Sequence, residues 1–317
     1  MRIARITGSI LAVAAAAGAF VYDANTKVAL APAVTSDGEN IYVAFARLDR
    51  SLKLGRFTLS NTQAGPQANL EAAANLTSRT NDPFALAWGD GTLFLAWTDY
   101  QSGKANVASF AVGSKDKLNF GGTRSTSIKS RGGVSLAYDK NRLYVGYTDA
   151  TEDLVKVATF KVAGGKLTQE SERKLVECAT VVGGAVAVSE GTLAVAWVNA
   201  DKKIIITTYG LEESSKGMNY TFARETRTEL KALTEPFVDR PALATAEGEI
   251  DLAYVDKTDK TPHVNFYTIQ ADGFLKSAGE TRINVKAGAP VGITALKGGK
   301  NYVAVVDTNE ALFIADK

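Results

Sequence analysis

The chain has 317 residues, one cysteine, one histidine and a formal net charge of +2. A lone cysteine (Cys178) excludes an internal disulfide, and a lone histidine (His263) argues against His-based triads and multi-His metal sites. Two arginines near the N-terminus, Arg2 and Arg5, leave the rest of the chain near neutral, without the basic stripe that grips nucleic acid.

Residues 1–19 combine Arg2 and Arg5 with an apolar run from Ile6 to Ala17 and a small-residue step, Ala17-Gly18-Ala19. The pattern predicts a secretory signal peptide cut near Ala19, and the run is short for a membrane span. An uncleaved N-terminal anchor, a buried helix or a transit peptide are the alternatives. The expected location is extracytoplasmic, secreted or periplasmic, with anchoring if the segment is kept.

From Ala33 onward the chain repeats itself. Copies of one hairpin start at Ala33, Phe84, Val134, Ala185, Ala242 and Val291, about 50 residues apart, a period that means a solenoid, propeller or array. Each copy opens with a strand rich in small residues, such as Ala85 and Ala87 or Ala185 and Ala187, suited to the crowded axis of a propeller. A turn of Asp, Gly, Asn, Glu or Lys follows, the residues that tolerate hairpin turns. The second strand, for example LYVGYTD from Leu143, is apolar on both faces and so expects cover on both sides. A third strand carries a recurring aromatic, at Phe57, Phe110, Phe160, Tyr209 and Tyr267. A polar, Thr-rich fourth strand suits a solvated edge.

Four strands in each of six repeats predict an all-β, six-bladed β-propeller. The sixth repeat ends after its third strand, at LFIADK, and lacks a fourth. Phe20–Ala33 resembles the end of the fifth repeat, so the N-terminal strand is expected to complete the last blade. The domain plan is therefore residues 1–19 as signal peptide or anchor and residues 20–317 as one propeller domain.

Chemistry-bearing residues are sparse. Cys178 lies in an apolar stretch and reads as a buried small hydrophobe. His263 reads as a surface or hairpin histidine at the start of a third strand. The prolines Pro32, Pro83, Pro241 and Pro290 read as lead-in residues of inner strands. Asn75-Leu76-Thr77 and Asn219-Tyr220-Thr221 are glycosylation sequons. Trp88 and Tyr138 are expected to pack between blades, with a stacking surface as the alternative.

An acidic residue recurs where the second strand ends: Asp99, Asp149, Asp256 and Asp307, with Asn199 in the fourth copy and Arg47 or Asp49 in the first. Sixfold symmetry would place these around one mouth of the channel, as a polar ring for a cation or ligand. The alternative is that they cap the turn into the third strand by accepting bonds from nearby amides. On the same face Arg131 and Arg240, with Arg47, are candidates to meet an anion as charge-assisted donors, or to pair with carboxylates such as Asp82 and Asp239. The candidate ligand-binding set is thus Arg47, Asp99, Arg131, Asp149, Arg240, Asp256 and Asp307. No catalytic, metal or cofactor set is expected.

The small inner strand, polar turn and LYVGYTDA or LFLAWTDYQSG second strand resemble the repeats of sialidase-like six-bladed propellers, without that family's Asp-box, Ser-x-Asp-x-Gly-x-Thr-Trp. Blade count, length and FVYDANTK are also similar to six-bladed fungal fucose lectins. That family's repeated Arg, Glu and Trp are not placed on this chain, which has Trp only at Trp88, Trp97 and Trp197. With regular blades and short connections, the function expected first is a non-catalytic, extracytoplasmic propeller that binds a protein partner or serves in an assembly. A carbohydrate-binding, lectin-like propeller is the alternative, and a glycan hydrolase of sialidase-like fold comes third.

Overall fold

A computed structural model of the chain describes residues 19–21, 27–62, 65–113, 117–180, 183–201, 203–214, 217–227, 240–246, 248–256, 259–295, 301–310 and 312–316. The signal peptide or anchor expected over residues 1–19 lies outside the described residues except for Ala19, and Asp239 lies outside them too. Every regular element among the described residues is a β-strand, and none is a helix long and apolar enough to cross a membrane.

The strands fall into six blades. β1 (Ala19–Val21) comes first, followed by blade 1 with β2 (Ala33–Ser36), β3 (Ile41–Ala46), β4 (Ser51–Thr62) and β5 (Gly65–Arg79). Blade 2 takes β6 (Ala85–Gly89), β7 (Thr92–Thr98), β8 (Lys104–Val112) and the first half of β9 (Leu118–Asp139). The second half of β9 is the inner strand of blade 3, beside β10 (Arg142–Asp149), β11 (Leu154–Ala163) and β12 (Lys166–Ala179). Blade 4 is β13 (Ala185–Ser189), β14 (Thr192–Val198), β15 (Ile204–Ser214) and β16 (Gly217–Arg227). Blade 5 is β17 (Ala242–Ala246), β18 (Glu249–Val255), β19 (Pro262–Ile269) and β20 (Leu275–Arg282). Blade 6 has β21 (Gly292–Ala295), β22 (Asn301–Val306) and β23 (Leu312–Asp316).

The ring closes as the repeat arithmetic predicts. β1 pairs antiparallel with β23, setting Ala19 opposite Ala315, Phe20 opposite Ile314 and Val21 opposite Phe313. It also meets β5 in parallel, at Val21 and Gln67, so the two ends of the chain join blades 1 and 6 into one sheet. An otherwise open edge at β23 is thereby covered.

Local sequence explains the hairpins. Asp90 and Gly91 (φ 48° and 73°), Lys140 and Asn141 (44° and 63°) and Glu190 and Gly191 (50° and 76°) all hold paired positive φ values. Such pairs make type I′ turns, whose twist matches the flanking strands. Further out, the recurring aromatics sit at one register: Phe57, Phe110, Phe160, Tyr209 and Tyr267 face Ile41, Leu93, Leu143, Leu193 and Ile250. At each of these aromatics the fourth strand carries one extra residue: Glu71, Gly121, Glu170, Ala223 and Ala278. A bulge of this kind bends the strand and raises its twist.

The core is six apolar clusters, one at each blade interface. Small residues of one inner strand face large aliphatics of the next. Ala33 shares a cluster with Leu86, Ala87 with Leu136, Ala137 with Val186, Ala185 with Leu243 and Ala242 with Ile293. At the closing interface Gly292 faces Val34, whose Cγ1 lies 3.3 Å from where a Cβ on Gly292 would stand. Crowding near the axis is thus relieved pairwise rather than by small residues throughout. Trp88 stacks on Tyr42 of blade 1 (5.5 Å, 4°) and Tyr138 on Phe94 of blade 2 (5.8 Å, 12°), so both pack between blades. Cys178 is buried in the cluster between blades 3 and 4, with its Sγ 3.4 Å from the Tyr209 hydroxyl.

Candidate functional site

One face of the disc carries the turns that follow the second strands. There the recurring acids hold their own loops. Asp99 accepts from the Ser102 amide (2.9 Å), the Ser102 hydroxyl (2.8 Å) and the Gln101 amide (3.2 Å). Asp149 accepts from the Thr151 amide (2.9 Å), the Thr151 hydroxyl (2.6 Å) and the Glu152 amide (3.1 Å), and Lys156 Nζ lies 3.0 Å away. Asp49 accepts from the Ser51 amide at 3.0 Å, Asn199 from the Lys203 amide at 2.8 Å and Asp307 from the Asn309 amide at 2.8 Å. These bonds favour the ionised form, and they hold Asp149, through Thr151 and Lys156, far below the usual carboxylate range. Asp99 is lowered by the Ser102 bonds. Asp256 sets its carboxylate 3.9 Å from His263 Nε2.

The three arginines each have a separate local partner. Arg47 Nη2 donates to Asn75 Oδ1 at 2.7 Å, on the exposed surface. Arg131 pairs with Asp153 at 2.7 Å, both side chains about half exposed. Arg240 stands at the mouth of the axial channel, among Pro32, Pro83, Pro241 and Pro290, and its Nη2 donates to the Gly184 carbonyl at 3.1 Å. Loss of hydration on burial lowers Arg240 to about 10, against the opposing pull of the Asp82 charge. Asp82 in turn is raised by burial. Beyond this mouth the channel widens to a polar cavity of about 250 Å³, whose lining includes Thr35, Ser36, Thr245 and Thr294.

The opposite face, at the hairpin turns, holds a cleft between blades 3 and 4 that no repeat position announces. It has a volume of about 410 Å³ and is lined in part by Arg142, Tyr144, Lys161, Leu211, Glu213 and Met218. Arg142 opens β10 and is only 9% exposed. Its Nε donates to Glu170 at 2.9 Å and its Nη2 to Glu213 at 2.6 Å, so one guanidinium ties two blades together. Glu170 is the extra residue of the blade 3 bulge, the device that re-aims a side chain. Tyr144 is buried beneath, and Met218 and Leu211 supply the apolar wall. Blades 2 and 4 carry Thr92 and Thr192 where blade 3 has Arg142, so a break in the repeat is the one sequence signal that could have found it.

His263 is corrected from a surface to a core residue. Strand register sets it opposite Tyr254 and Arg282, and its ring stacks on Tyr254 at 5.3 Å, leaving it 3% exposed. Its Nδ1 lies 2.6 Å from Glu280 Oε1.

No family model and no curated protein sequence matches the chain. Solved structures do resemble it in fold. AofleA from Arthrobotrys oligospora superimposes with a TM-score of 0.65 at 10% identity, over 94% of this chain and 86% of that one. The Aleuria aurantia lectin, described as a six-bladed β-propeller with a fucose recognition mode, gives 0.61 at 11% identity, over 92% and 93%. The subtype N10 neuraminidase-like protein of A/little yellow-shouldered bat/Guatemala gives 0.52 at 10% identity, over 94% and 97%. With blade closure and register already traced, these likenesses establish the six-bladed β-propeller as the fold of this chain.

Proposed function

We propose that the protein is a carbohydrate-binding propeller and that the cleft between blades 3 and 4 holds the sugar. The observation that carries this reading is Arg142, fixed between Glu170 and Glu213 beside an apolar wall. A guanidinium flanked by carboxylates offers donors and acceptors at the spacing of neighbouring sugar hydroxyls. Met218 and Leu211 offer apolar surface to the C–H face of a pyranose, over the buried Tyr144. A cleft of about 410 Å³ is of the size that buries one or two sugar rings. Lys140, Arg142 and Lys161 are offset by Asp139 and Glu213 of the lining and by Glu170, paired with Arg142, which favours a neutral glycan over an acidic one. Structural relatives include an Aleuria lectin complex with α-methyl-L-fucoside, so that glycoside is the first probe. An extracytoplasmic location fits a glycan ligand. A protein partner was the first expectation from sequence, but a cleft with a fixed Arg–carboxylate pair suits a small polyol better than a flat partner surface.

The test is calorimetric titration with α-methyl-L-fucoside and a glycan array. Arg142→Ala is expected to weaken binding at least 100-fold while the far-ultraviolet circular dichroism stays unchanged. Binding that survives Arg142→Ala would move the site elsewhere on the propeller. Silence across the array would remove the carbohydrate reading.

A further inference from the structure

The turn between β18 and β19 carries a second aspartate, Asp259, beside the recurring Asp256. In blades 2 and 3 the aspartate at the end of the second strand takes the amide and hydroxyl bonds of the turn. In blade 5 Asp259 accepts from the Thr261 amide at 2.8 Å and from the Thr261 hydroxyl. Asp256, Asp259 and His263 then each turn one ligand atom into a common space, within 4.8 Å of one another.

The imidazole sets the chemistry of that space. His263 is buried, and Nδ1 lies 2.6 Å from Glu280, so in the neutral ring Nδ1 is the protonated nitrogen and Nε2 the lone pair. The lone pair faces the Asp256 carboxylate at 3.9 Å and Thr261 Oγ1 at 3.3 Å, and the Thr261 proton is committed to Asp259. A buried lone pair directed at oxygen acceptors calls for a positive charge between them. A carboxylate on the far nitrogen is also the arrangement that orients metal-bound histidines.

We infer that Asp256, Asp259 and His263 form a divalent-cation site of the zinc or manganese class, with Glu280 as the positioning residue behind His263. One nitrogen and two carboxylate ligands fit these borderline ions better than calcium or magnesium. Tetrahedral ligands at about 2.0–2.1 Å from the metal stand about 3.3 Å apart, so side-chain rotations that draw in atoms now within 4.8 Å of one another close the site. Three protein ligands leave a coordination position for water or a ligand oxygen. Lys286 also lies nearby, donating to the Asp259 carbonyl, and Arg282 stands 3.8 Å from Glu280. The site lies on blade 5 and stands independently of the sugar cleft.

The experiment is titration of the full protein with Co²⁺, read by visible absorption and calorimetry, with Zn²⁺ as competitor. One Co²⁺ per chain is expected, displaced by Zn²⁺. Asp256→Asn and His263→Ala should each weaken binding at least 100-fold, and Glu280→Gln should weaken it about 10–100-fold. Because the chain has one histidine, its ring nitrogen resonances report directly which charge fills the space. Zn²⁺ should move Nε2 while Nδ1 keeps its proton. A ring protonated on both nitrogens at neutral pH and unmoved by millimolar Zn²⁺ would mean that a proton is the resident cation, and the metal site would fall. Co²⁺ binding untouched in Asp256→Asn would overturn it as well, even if His263→Ala fails to fold.

Discussion

Asp149 has a local structural role of the kind its repetition allows. Thr151, Glu152 and Lys156 occupy its carboxylate, and the same geometry recurs around Asp99. Asp149→Ala is expected to lower stability by about 1 kcal/mol, the net worth of a lost turn bond, measured by urea denaturation at pH 7. The pH sign follows from the depressed carboxyl. A group whose folded value lies below its unfolded value of about 3.9 adds stability above that pH and loses it as pH falls through the folded value. The gap between wild type and Asp149→Ala should therefore be constant from pH 6 to 8 and shrink below about pH 4. A gap that stays constant to pH 2, together with loss of a bound ion in Asp149→Ala, would favour the ligand-ring reading over the turn-cap reading. Arg142 is the reverse case, a single non-repeated residue that no pattern marked.

At the level of elements, the repeat encodes a hairpin, an aromatic and a bulge, and each has a mechanical role. The bulge at Glu170 links fold to site, because its extra residue is the one that grips Arg142. Glu170→Ala keeps the bulge and removes the carboxylate, so it should weaken sugar binding with little change in stability. Deleting Glu170 erases the bulge and shifts the rest of β12 by one residue, turning its side chains to the opposite face. That deletion should cost several degrees of melting temperature in addition to binding. Packing between blades is equally specific. Leu136 fills the interface opposite Ala87, and Leu136→Ala is expected to cost about 2–4 kcal/mol, whereas Phe120→Ala, at a side chain 59% exposed, should cost under about 0.5 kcal/mol. Similar losses for both would refute the small-against-large account of the axis. The joint between blades 2 and 3 is tight as well. Gly133 has φ 88°, and a Cβ there would lie 2.2 Å from the Pro83 carbonyl, so only glycine lets β9 serve both blades.

For the whole molecule the decisive contact is between the chain ends. β1 fills the outer place of blade 6 and touches β5 of blade 1. Removing residues 1–21 should lower the melting temperature by a few degrees and promote self-association through the uncovered edge of β23, read by light scattering. A truncated protein that stays monomeric with an unchanged transition would show that closure by β1 adds nothing. Removing only residues 1–18 leaves β1 whole and should be neutral.

The sequence by itself determined the blade count, the hairpins, the completion of blade 6 by the N-terminal strand and the buried place of Cys178. These rest on period, alternation and turn chemistry, which are local or repeated and so can be read along a chain. Tertiary structure alone decided the rest. It paired Glu170 of β12 with Arg142 of β10 and Glu213 of the next blade, and it drew His263 under Tyr254 to face Asp256. It also gave Arg47, Arg131 and Arg240 their separate local partners, Asn75, Asp153 and the Gly184 carbonyl. Such meetings depend on which blade neighbours which and on a one-residue bulge, and side chains far apart in sequence acquire their partners only when the ring has closed.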